Sequence, residues 1–161
     1  MQKQELTFQY EVFESSKDLS PGDKALLDRA KEATGLAYAP YSKFHVGAAA
    51  RLVTGELVVG SNQENASFPV GICAERVLLS ALSSLYPETA IETMAITYKS
   101  KTHPGGHPVA PCGICRQSLS EFENRMQKSF RIILGGENGK IFIIPEAGML
   151  LPLAFTSDDL K

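Results

Sequence analysis

Two stretches, Cys73-Ala74-Glu75-Arg76 and Pro111-Cys112-Gly113-Ile114-Cys115, contain every cysteine of this chain and decide how it is expected to fold. Each stretch stands at the start of a segment with helical spacing, which predicts helices over residues 74–85 and 113–126. A strand predicted near residues 94–98 separates the two helices along the chain. We therefore expect two helix starts to bring the three thiols to one place.

Predicted helices and strands also alternate on both sides of this region. Ser20-Pro21 is typical of a helix start, and Thr54-Gly55 and Glu137-Asn138-Gly139 are typical of hairpin turns. The order α-β-β-α-β-α-β-β favours a three-layer α/β/α sandwich around a mixed five-stranded sheet. The remaining predicted elements are a helix over 21–37, strands over 44–53, 56–61, 131–135 and 140–144, and a further half-buried strand within the alternating run 6–12.

Length and charge limit the classes of protein that this chain can represent. The chain has 161 residues, the size of one domain, and no repeat or linker divides it. The 16 Lys and Arg residues against 18 Asp and Glu residues give a net charge of −2, which disfavours nucleic acid as a partner. No apolar window is long enough for a membrane span, and residues 1–10 lack the core of a signal peptide. We therefore expect a cytoplasmic protein without nucleic-acid or membrane partners.

The three cysteines indicate a metal site. Their odd number does not suit a disulfide scaffold, and clustered thiols in a reducing compartment more often bind metal or act in catalysis. If Cys112 is near the N-cap and Cys115 near the third helical position, their side chains share one side of the first turn. The partial positive charge of a helix start stabilises thiolates, which are soft ligands suited to tetrahedral zinc. Three protein ligands leave the fourth position for water, as in catalytic zinc sites.

Glu75 connects this metal site to catalysis. Cys73 and Glu75 are about 200° apart around a regular helix, but a metal beyond the helix end can contact Cys73 while Glu75 reaches its water. We therefore interpret Glu75 as a proton shuttle. Two alternatives remain open at this point, Cys-His hydrolase chemistry and a structural zinc with a histidine as its fourth ligand. The histidine candidates are His45, His103 and His107.

Five motifs in this order resemble the zinc-dependent cytidine deaminases, specifically their small homotetrameric branch with three cysteine ligands. The resemblance covers most of the chain, and Cys73 stands where many members have histidine. It implies the same α/β fold. The motifs are Ala39-Pro40-Tyr41-Ser42-Lys43-Phe44-His45-Val46-Gly47-Ala48-Ala49, Asn62-Gln63-Glu64-Asn65-Ala66-Ser67, Cys73-Ala74-Glu75-Arg76, Pro111-Cys112-Gly113-Ile114-Cys115-Arg116-Gln117 and Leu151-Pro152-Leu153-Ala154-Phe155.

The resemblance implies roles for the residues of the metal site. Cys73, Cys112 and Cys115 would hold Zn²⁺. Glu75 would take a proton from the zinc's water, whose hydroxide would attack C4 of the pyrimidine, and Glu75 would protonate N3 and later the leaving amine. Three thiolates give the zinc site a net negative charge that weakens the metal as a Lewis acid. The resemblance assigns Arg76 to offset this charge by donating hydrogen bonds to the sulfur ligands.

The resemblance also implies residues that contact the substrate. Asn62 and Glu64 correspond to a pair that binds ribose hydroxyls, and on an extended segment their i, i+2 spacing puts them on one face. Phe44 corresponds to an aromatic residue that packs on the pyrimidine. The backbone N–H of Ala74 would meet the base carbonyl. Phe155 corresponds to a C-terminal aromatic residue that closes the site of a neighbouring subunit.

The chain departs from the family pattern in three places. Residues 1–20 form an N-terminal extension, and residues 21–161 form the deaminase domain. The segment 101–107 resembles an enlarged loop before the second cysteine motif. Phe68 stands where members often have tyrosine after Asn-Ala-Ser, which removes a hydroxyl in or near a subunit interface.

These features together predict the hydrolytic deamination of cytidine and 2′-deoxycytidine in pyrimidine salvage, by a cytoplasmic homotetramer with shared active sites. An enzymatic alternative is a deaminase of another cytosine nucleoside, such as blasticidin S. A deaminase that edits nucleic acid is disfavoured because its groove should be basic and lined with aromatic residues. A domain that binds a partner and is held together by zinc is the alternative without enzymatic activity.

Overall fold

The computed structural model describes residues 1–100 and 106–161. Within this part of the chain, all strands belong to one sheet and three α-helices pack on it. The helices are α1 (Pro21–Ala33), α2 (Ala74–Leu85) and α3 (Gly113–Met126). The strands are β1 (Glu11–Phe13), β2 (Phe44–Leu52), β3 (Leu57–Ser61), β4 (Ile91–Ser100), β5 (Arg131–Gly135) and β6 (Ile141–Ile144).

The sheet is mixed, as predicted, but it has six strands among the described residues and not five. Its order is β1-β6-β5-β4-β2-β3, in which β4 and β5 are parallel and the other neighbours are antiparallel. The sixth strand is β1, which overlaps the predicted run 6–12 only at Glu11 and Val12 and pairs with β6 in the register Val12↔Phe142. It covers the edge of β6, whose backbone groups would otherwise be unpaired.

Helices cover both faces of the sheet, which confirms the three-layer α/β/α arrangement. Leu26, Leu27 and Ala30 of α1 pack on small and branched residues of one face. Leu78 and Leu82 of α2 belong to the core on the other face, which α3 also helps to form. The two buried clusters are separated by the sheet, so β4, with neighbours on both faces, lies at the centre of the molecule.

The helix that follows Ser20 is shorter than predicted. Its start is confirmed, because Ser20 is the N-cap and its hydroxyl accepts a hydrogen bond from the Asp23 N–H at 3.2 Å. The α-helix ends at Ala33, however, and the chain continues as a 3₁₀ turn over Thr34–Leu36. This turn contains Gly35, a residue that disfavours helix continuation, although the apolar spacing continues to Ala37.

The positions of α2 and α3 match their predicted bounds, and both begin at the same end of the sheet. A close approach at Gly60 of β3 permits this placement of α2, since a Cβ there would lie 2.4 Å from the Ala74 carbonyl oxygen. The predicted loop 101–107 lies largely outside the described residues; Gly106 and His107 are described and exposed. In the described ranges, none of the helices combines the length and the apolar composition that crossing a bilayer requires.

Candidate metal centre and active site

The three cysteine thiols meet where α2 and α3 begin. Cys73 is the N-cap residue of α2, Cys112 is the N-cap residue of α3, and Cys115 is the third residue of α3. The Sγ atoms are 3.8 Å apart for Cys73 and Cys112 and 3.5 Å apart for Cys112 and Cys115, and all three lie within 4.8 Å of one another. The predicted cluster is therefore present, with Cys112 and Cys115 on one side of the first helical turn.

This donor set fits zinc. Tetrahedral zinc with Zn–S bonds of about 2.3 Å separates two ligand sulfurs by roughly 3.8 Å. The two measured sulfur pairs lie close to that separation. Three thiols converge without a fourth side-chain ligand among the described residues, which is the donor count of a catalytic site.

The surroundings of the thiols favour ionisation of Cys73. The pKa of Cys73 is lowered to about 6, chiefly by its hydrogen bond with Cys115 and further by Cys112 and the charge of Arg76. Burial and the charge of Glu75 act in the opposite direction but are outweighed. The same hydrogen bond, and then burial, raise the pKa of Cys115. One ligand is therefore readily available as thiolate, and the buried Cys115 is expected to lose its proton when a cation binds.

Glu75 lies on the first turn of α2, beside the thiols and almost completely inside the protein. Its relative exposure is 4%. Burial raises the pKa of Glu75, while its own backbone N–H and the Cys115 thiol partly oppose the shift. A raised pKa brings a carboxyl group closer to the pH at which it can both accept and return a proton, which is what a proton shuttle requires.

Two arginines lie near the cysteines and have different surroundings. Arg76 is half-buried next to Glu75, and its charge contributes to the low pKa of Cys73. Arg116 donates from Nε to the Pro111 carbonyl at 2.8 Å and from Nη1 to the Leu150 carbonyl at 3.1 Å. Arg116 thus joins the segment before Cys112 to the C-terminal part of the chain.

A cavity of about 510 Å³ opens in front of this cluster, within the size range of small-molecule sites. Cys73, Cys112 and Glu75 contribute to one wall. The structure therefore brings two of the predicted metal ligands and the predicted proton shuttle to a single space that a small molecule can enter, with the buried Cys115 behind them. Other residues that line it include Phe44, Val46, Asn62, Glu64, Phe68, Ile96, Tyr98, Val109 and Ala110.

The two predicted ribose-binding residues line this cavity and are held by the backbone. The Asn62 side chain accepts from the Val46 N–H at 2.7 Å and donates to the Phe44 carbonyl at 2.9 Å. The Glu64 carboxylate accepts from the Tyr41 N–H at 2.9 Å, and its hydrogen bond with the Ser42 side chain lowers the pKa of Glu64. Glu64 is therefore an ionised and oriented acceptor.

The predicted pyrimidine contacts are close to the metal centre. Phe44 is the half-buried first residue of β2, and its side chain lines the cavity. Ala74 is the buried first residue of α2, between the lining residues Cys73 and Glu75. An N–H at this helical position has no acceptor within its own helix, so it is suited to bind an oxygen atom.

Phe155 is not part of the cavity wall within the described part of a single chain. Its ring is exposed, while its backbone carbonyl accepts from Gln117 Nε2 of α3 at 2.8 Å. Phe68 lies at the rim of the cavity and contacts the ring of Tyr41 edge-on at a centroid distance of 5.8 Å. Both aromatic side chains are presented on the surface near the site or its supporting helix.

The structure does not support a histidine as the fourth ligand among the residues that it describes. His45 and His107 do not join the cysteines in a cluster of ligand atoms within ranges 1–100 and 106–161. His103, the third candidate, lies outside the described residues. The described donor set is that of three cysteines.

Tyr98 contributes to this site and is absent from the residues predicted by sequence. It lines the cavity, and its ring stacks on that of Phe44. The alternation along the predicted strand near 94–98 could have revealed it, because Met94, Ile96 and Tyr98 share one face of β4. Tyr98 lies outside all five motifs that carry the family resemblance.

Comparison with known proteins agrees with this geometry. Residues 21–129 match the family described as the cytidine and deoxycytidylate deaminase zinc-binding region. The cytidine deaminase of Halalkalibacterium halodurans is 38% identical over 136 residues, which cover 84% of this chain and 96% of that protein. The cytidine deaminase of Sporosarcina psychrophila is 34% identical over 136 residues, 84% of this chain and 93% of that protein.

Solved structures show the same fold. The crystal structure of cytidine deaminase from Burkholderia pseudomallei superposes with a TM-score of 0.71 at 37% identity, covering 85% of this chain and all of that one. The cytidine deaminase of Mycobacterium tuberculosis superposes with a TM-score of 0.65 at 32% identity, covering 84% of this chain and 98% of that one. With its three clustered cysteines, the chain belongs to the zinc-binding family of cytidine and deoxycytidylate deaminases.

Proposed function

We propose that this hydrolytic deaminase converts cytidine and 2′-deoxycytidine, with water, to uridine and 2′-deoxyuridine and ammonia, as a step of pyrimidine salvage. The observation that carries the proposal is the position of the buried Glu75 carboxyl beside three thiols, on the wall of a cavity of about 510 Å³. The relatives of known function that cover most of the chain are named cytidine deaminases, which supports the choice of substrate.

In the proposed reaction, Cys73, Cys112 and Cys115 would hold zinc, which when bound would supply a Lewis acid that lowers the pKa of a water molecule. Glu75 takes a proton from the attacking water and delivers it to N3 of the pyrimidine. The water oxygen bonds to C4, and Glu75 then moves the remaining proton of that oxygen to the amine on C4, so that the C4–N bond breaks, ammonia leaves and C4 becomes the carbonyl carbon of uridine. Arg76 offsets part of the negative charge of the three thiolates, in line with its effect on Cys73.

The residues around the cavity are proposed to select a nucleoside. Glu64 is oriented by the Tyr41 and Ser42 N–H groups and, as an ionised carboxylate, has acceptor capacity left for a ribose hydroxyl. Asn62 retains one amide N–H besides the one given to the Phe44 carbonyl. Phe44 packs on the pyrimidine, and the Ala74 N–H binds its carbonyl oxygen.

We assign this activity to residues 21–161 and treat residues 1–20 as an N-terminal extension. The match to the family begins at residue 21, which supports the division. The extension also contributes β1 to the sheet, where it pairs with β6. It is therefore expected to add to stability while leaving the chemistry to the remainder of the chain.

We further propose that the protein is a cytoplasmic homotetramer in which Phe155 closes the site of a neighbouring subunit. Exposed apolar side chains near the cavity mouth support an interface, since such patches seldom face water on a monomer. They include Tyr41, Phe68 and Val70, and Phe155 is 58% exposed in the single chain. Three free cysteines support a reducing compartment.

A panel of substrates tests the proposed function. The purified full chain with zinc is given cytidine, 2′-deoxycytidine, cytosine and blasticidin S, and ammonia release is measured for each. We expect both nucleosides to be deaminated, cytosine to react far more slowly because it lacks ribose, and Glu64→Gln to raise KM for cytidine. Glu121→Gln, an exposed change on α3, is the matched control. Preference for blasticidin S, or no reaction with either nucleoside, would overturn the proposal.

A further inference from the structure

We infer that Tyr98 is a positioning residue of this site, whose ring fixes the Phe44 ring and whose hydroxyl fixes the segment that leads to Cys112. The inference rests on the proposed function, because it concerns how the same site binds cytidine. Tyr98 belongs to β4, the strand at the centre of the sheet, and it lines the cavity. It can therefore hold two walls of the site in fixed positions relative to the sheet.

The ring of Tyr98 supports Phe44 directly. Val46 of β2 pairs with Tyr98 of β4, so Phe44, two residues before Val46, presents its side chain on the same face. The two rings are stacked, with centroids 4.8 Å apart and planes inclined by 15°. Tyr98 is only 2% exposed, whereas Phe44 is half-buried at the cavity. The buried ring thus provides a fixed surface beneath the ring proposed to pack on the pyrimidine.

The hydroxyl of Tyr98 supports a second wall. It donates a hydrogen bond to the His107 carbonyl at 3.3 Å. His107 begins the approach to α3, in which Val109 and Ala110 line the cavity and Cys112 presents a thiol to the metal centre. His107 itself is exposed, so this bond ties a surface segment to the centre of the sheet. Loss of the hydroxyl should allow the segment before Cys112 to move.

The two contacts of Tyr98 predict separable effects in two variants. Tyr98→Phe keeps the stacked ring, so KM for cytidine should stay within about twofold of the wild type. It removes the hydrogen bond to His107, so a chelator should remove zinc about two- to tenfold faster. Tyr98→Leu removes the stack as well, so KM should rise about five- to twentyfold while kcat for protein loaded with zinc changes by less than about threefold. Phenylalanine should therefore rescue substrate binding but not zinc retention.

Two controls separate positioning from general packing. Tyr86→Phe and Tyr86→Leu alter a half-buried tyrosine that packs against the core away from the cavity, and they should leave both KM and zinc release unchanged. The double variant Phe44→Leu/Tyr98→Leu should raise KM by no more than about twofold over Phe44→Leu alone, because Tyr98 acts through Phe44. Additive effects on KM would contradict that route.

The measurements are kcat and KM for cytidine and the rate at which a chelator removes zinc from the full chain. An unchanged KM in Tyr98→Leu, or equal effects of the Tyr86 and Tyr98 variants, would overturn the role of the ring. If Tyr98→Leu does not fold, zinc release from Tyr98→Phe decides, and a rate equal to the wild type overturns the inference. If the wild type fails to deaminate cytidine, the proposed function is wrong, but zinc release still tests the anchoring of Cys112.

Discussion

At the residue scale, the chemistry of this protein depends on which side chains stand at two helix starts. Cys73 and Cys112 occupy N-cap positions, where short polar side chains usually satisfy free N–H groups. Neither cysteine makes a hydrogen bond of that kind. Their thiols face each other instead, at a distance that suits a shared cation. The helix ends are thus used for metal binding, with their partial positive charge favouring thiolates.

Glu75→Ala should retain zinc and fold and lose at least about 100-fold in turnover, because it removes proton transfer and no metal ligand. Zinc content, the circular dichroism spectrum and ammonia release from cytidine are measured on the same sample. Glu121→Gln serves as a surface control. Ammonia release at the wild-type rate from Glu75→Ala would show that Glu75 does not move the proton.

Cys112→Ala should lose zinc and also stability. The Cys112 side chain is exposed, so its removal creates no buried cavity, and any loss of stability has to come from the metal that joins α2 to α3. The measurement is zinc per chain together with the urea midpoint, in the presence and absence of a chelator. A variant that still binds one zinc per chain would exclude Cys112 as a ligand.

The metal centre could be predicted from the sequence because three thiols and a carboxylate have few uses in such a pattern. Tyr98 could not be predicted as a site residue, since an aromatic residue in a strand is ordinarily core and no local pattern shows which cavity it faces. The stack of Tyr98 on Phe44 depends on the register of β4 against β2, a pairing between distant segments. Such register is a property of the folded sheet and is not expressed in either segment alone.

At the element scale, the supports of α3 connect the metal centre to the C-terminal part of the chain. The buried Glu123 of α3 accepts from the Phe130 N–H at 2.9 Å, the Ala147 N–H at 3.0 Å and the Gly148 N–H at 2.8 Å. These bonds hold the 3₁₀ turn Ala147–Leu150 against the helix that carries Cys115. One carboxylate therefore accepts hydrogen bonds from three backbone N–H groups that lie outside the strands.

This carboxyl group predicts a pH dependence of stability. Burial raises the pKa of Glu123 above its ordinary value of 4.5, although the three N–H groups oppose the shift. Above pH 4.5 and up to the raised pKa, the folded chain holds a proton that the unfolded chain releases, so this contribution to stability falls as pH rises. The stabilisation that Glu123 contributes is fully present below pH 4.5.

The comparison of wild type with Glu123→Gln isolates this effect, because the glutamine does not titrate and the metal ligands are common to both. The free energy of unfolding is measured by urea at a series of pH values from 4.5 to 7. The difference between wild type and variant should be most favourable to the wild type at the acid end and should decline as pH rises. A difference that increases with pH would contradict the direction of the shift.

The accuracy of the element predictions follows from local signals. For α2 and α3, the helical spacing after each cysteine motif predicted the observed bounds. For α1, the alanine spacing suggested a continuation to residue 37 that Gly35 and the 3₁₀ turn prevent. The strand β1 covers only Glu11–Phe13, because β6 offers just four residues to pair with. Pairing across the sheet, not local alternation, limits its length.

At the scale of the whole molecule, the single chain leaves part of the proposed site open. The cavity mouth is bordered by exposed aromatic side chains, and Phe155 is presented on a C-terminal segment attached to α3 through Gln117. Leu153, two residues before it, is 99% exposed and has a φ of 56°, a strained conformation for leucine. Such a segment suits a contact with a second copy of the chain.

Phe155→Ala should therefore weaken cytidine binding across a subunit boundary, with a raised KM and little change in the stability of the single chain. An aromatic ring that closes a polar site excludes water from it. Leu160→Ala removes another exposed apolar side chain of the C-terminal segment and is the control. The measurement is KM for cytidine together with the assembly state by sedimentation.

Mixed assemblies test the contribution in trans. Glu75→Ala and Phe155→Ala chains are refolded together, so that some sites contain Glu75 from one chain and Phe155 from another. At a cytidine concentration well below the wild-type KM, we expect the mixture to be more active than the average of the two variants measured alone. If both variants assemble and the mixture is no more active than that average, Phe155 does not complete a neighbouring site.

Above all, we expect the three cysteines to hold a zinc ion that cytidine deamination requires. Zinc per chain and ammonia release from cytidine are measured on one preparation, before chelation, after chelation and after zinc is restored. We expect one zinc per chain, uridine and ammonia in equal amounts, loss of both zinc and activity on chelation, and return of activity with zinc. Full deamination by protein freed of zinc, or one zinc per chain without release of ammonia, would contradict it.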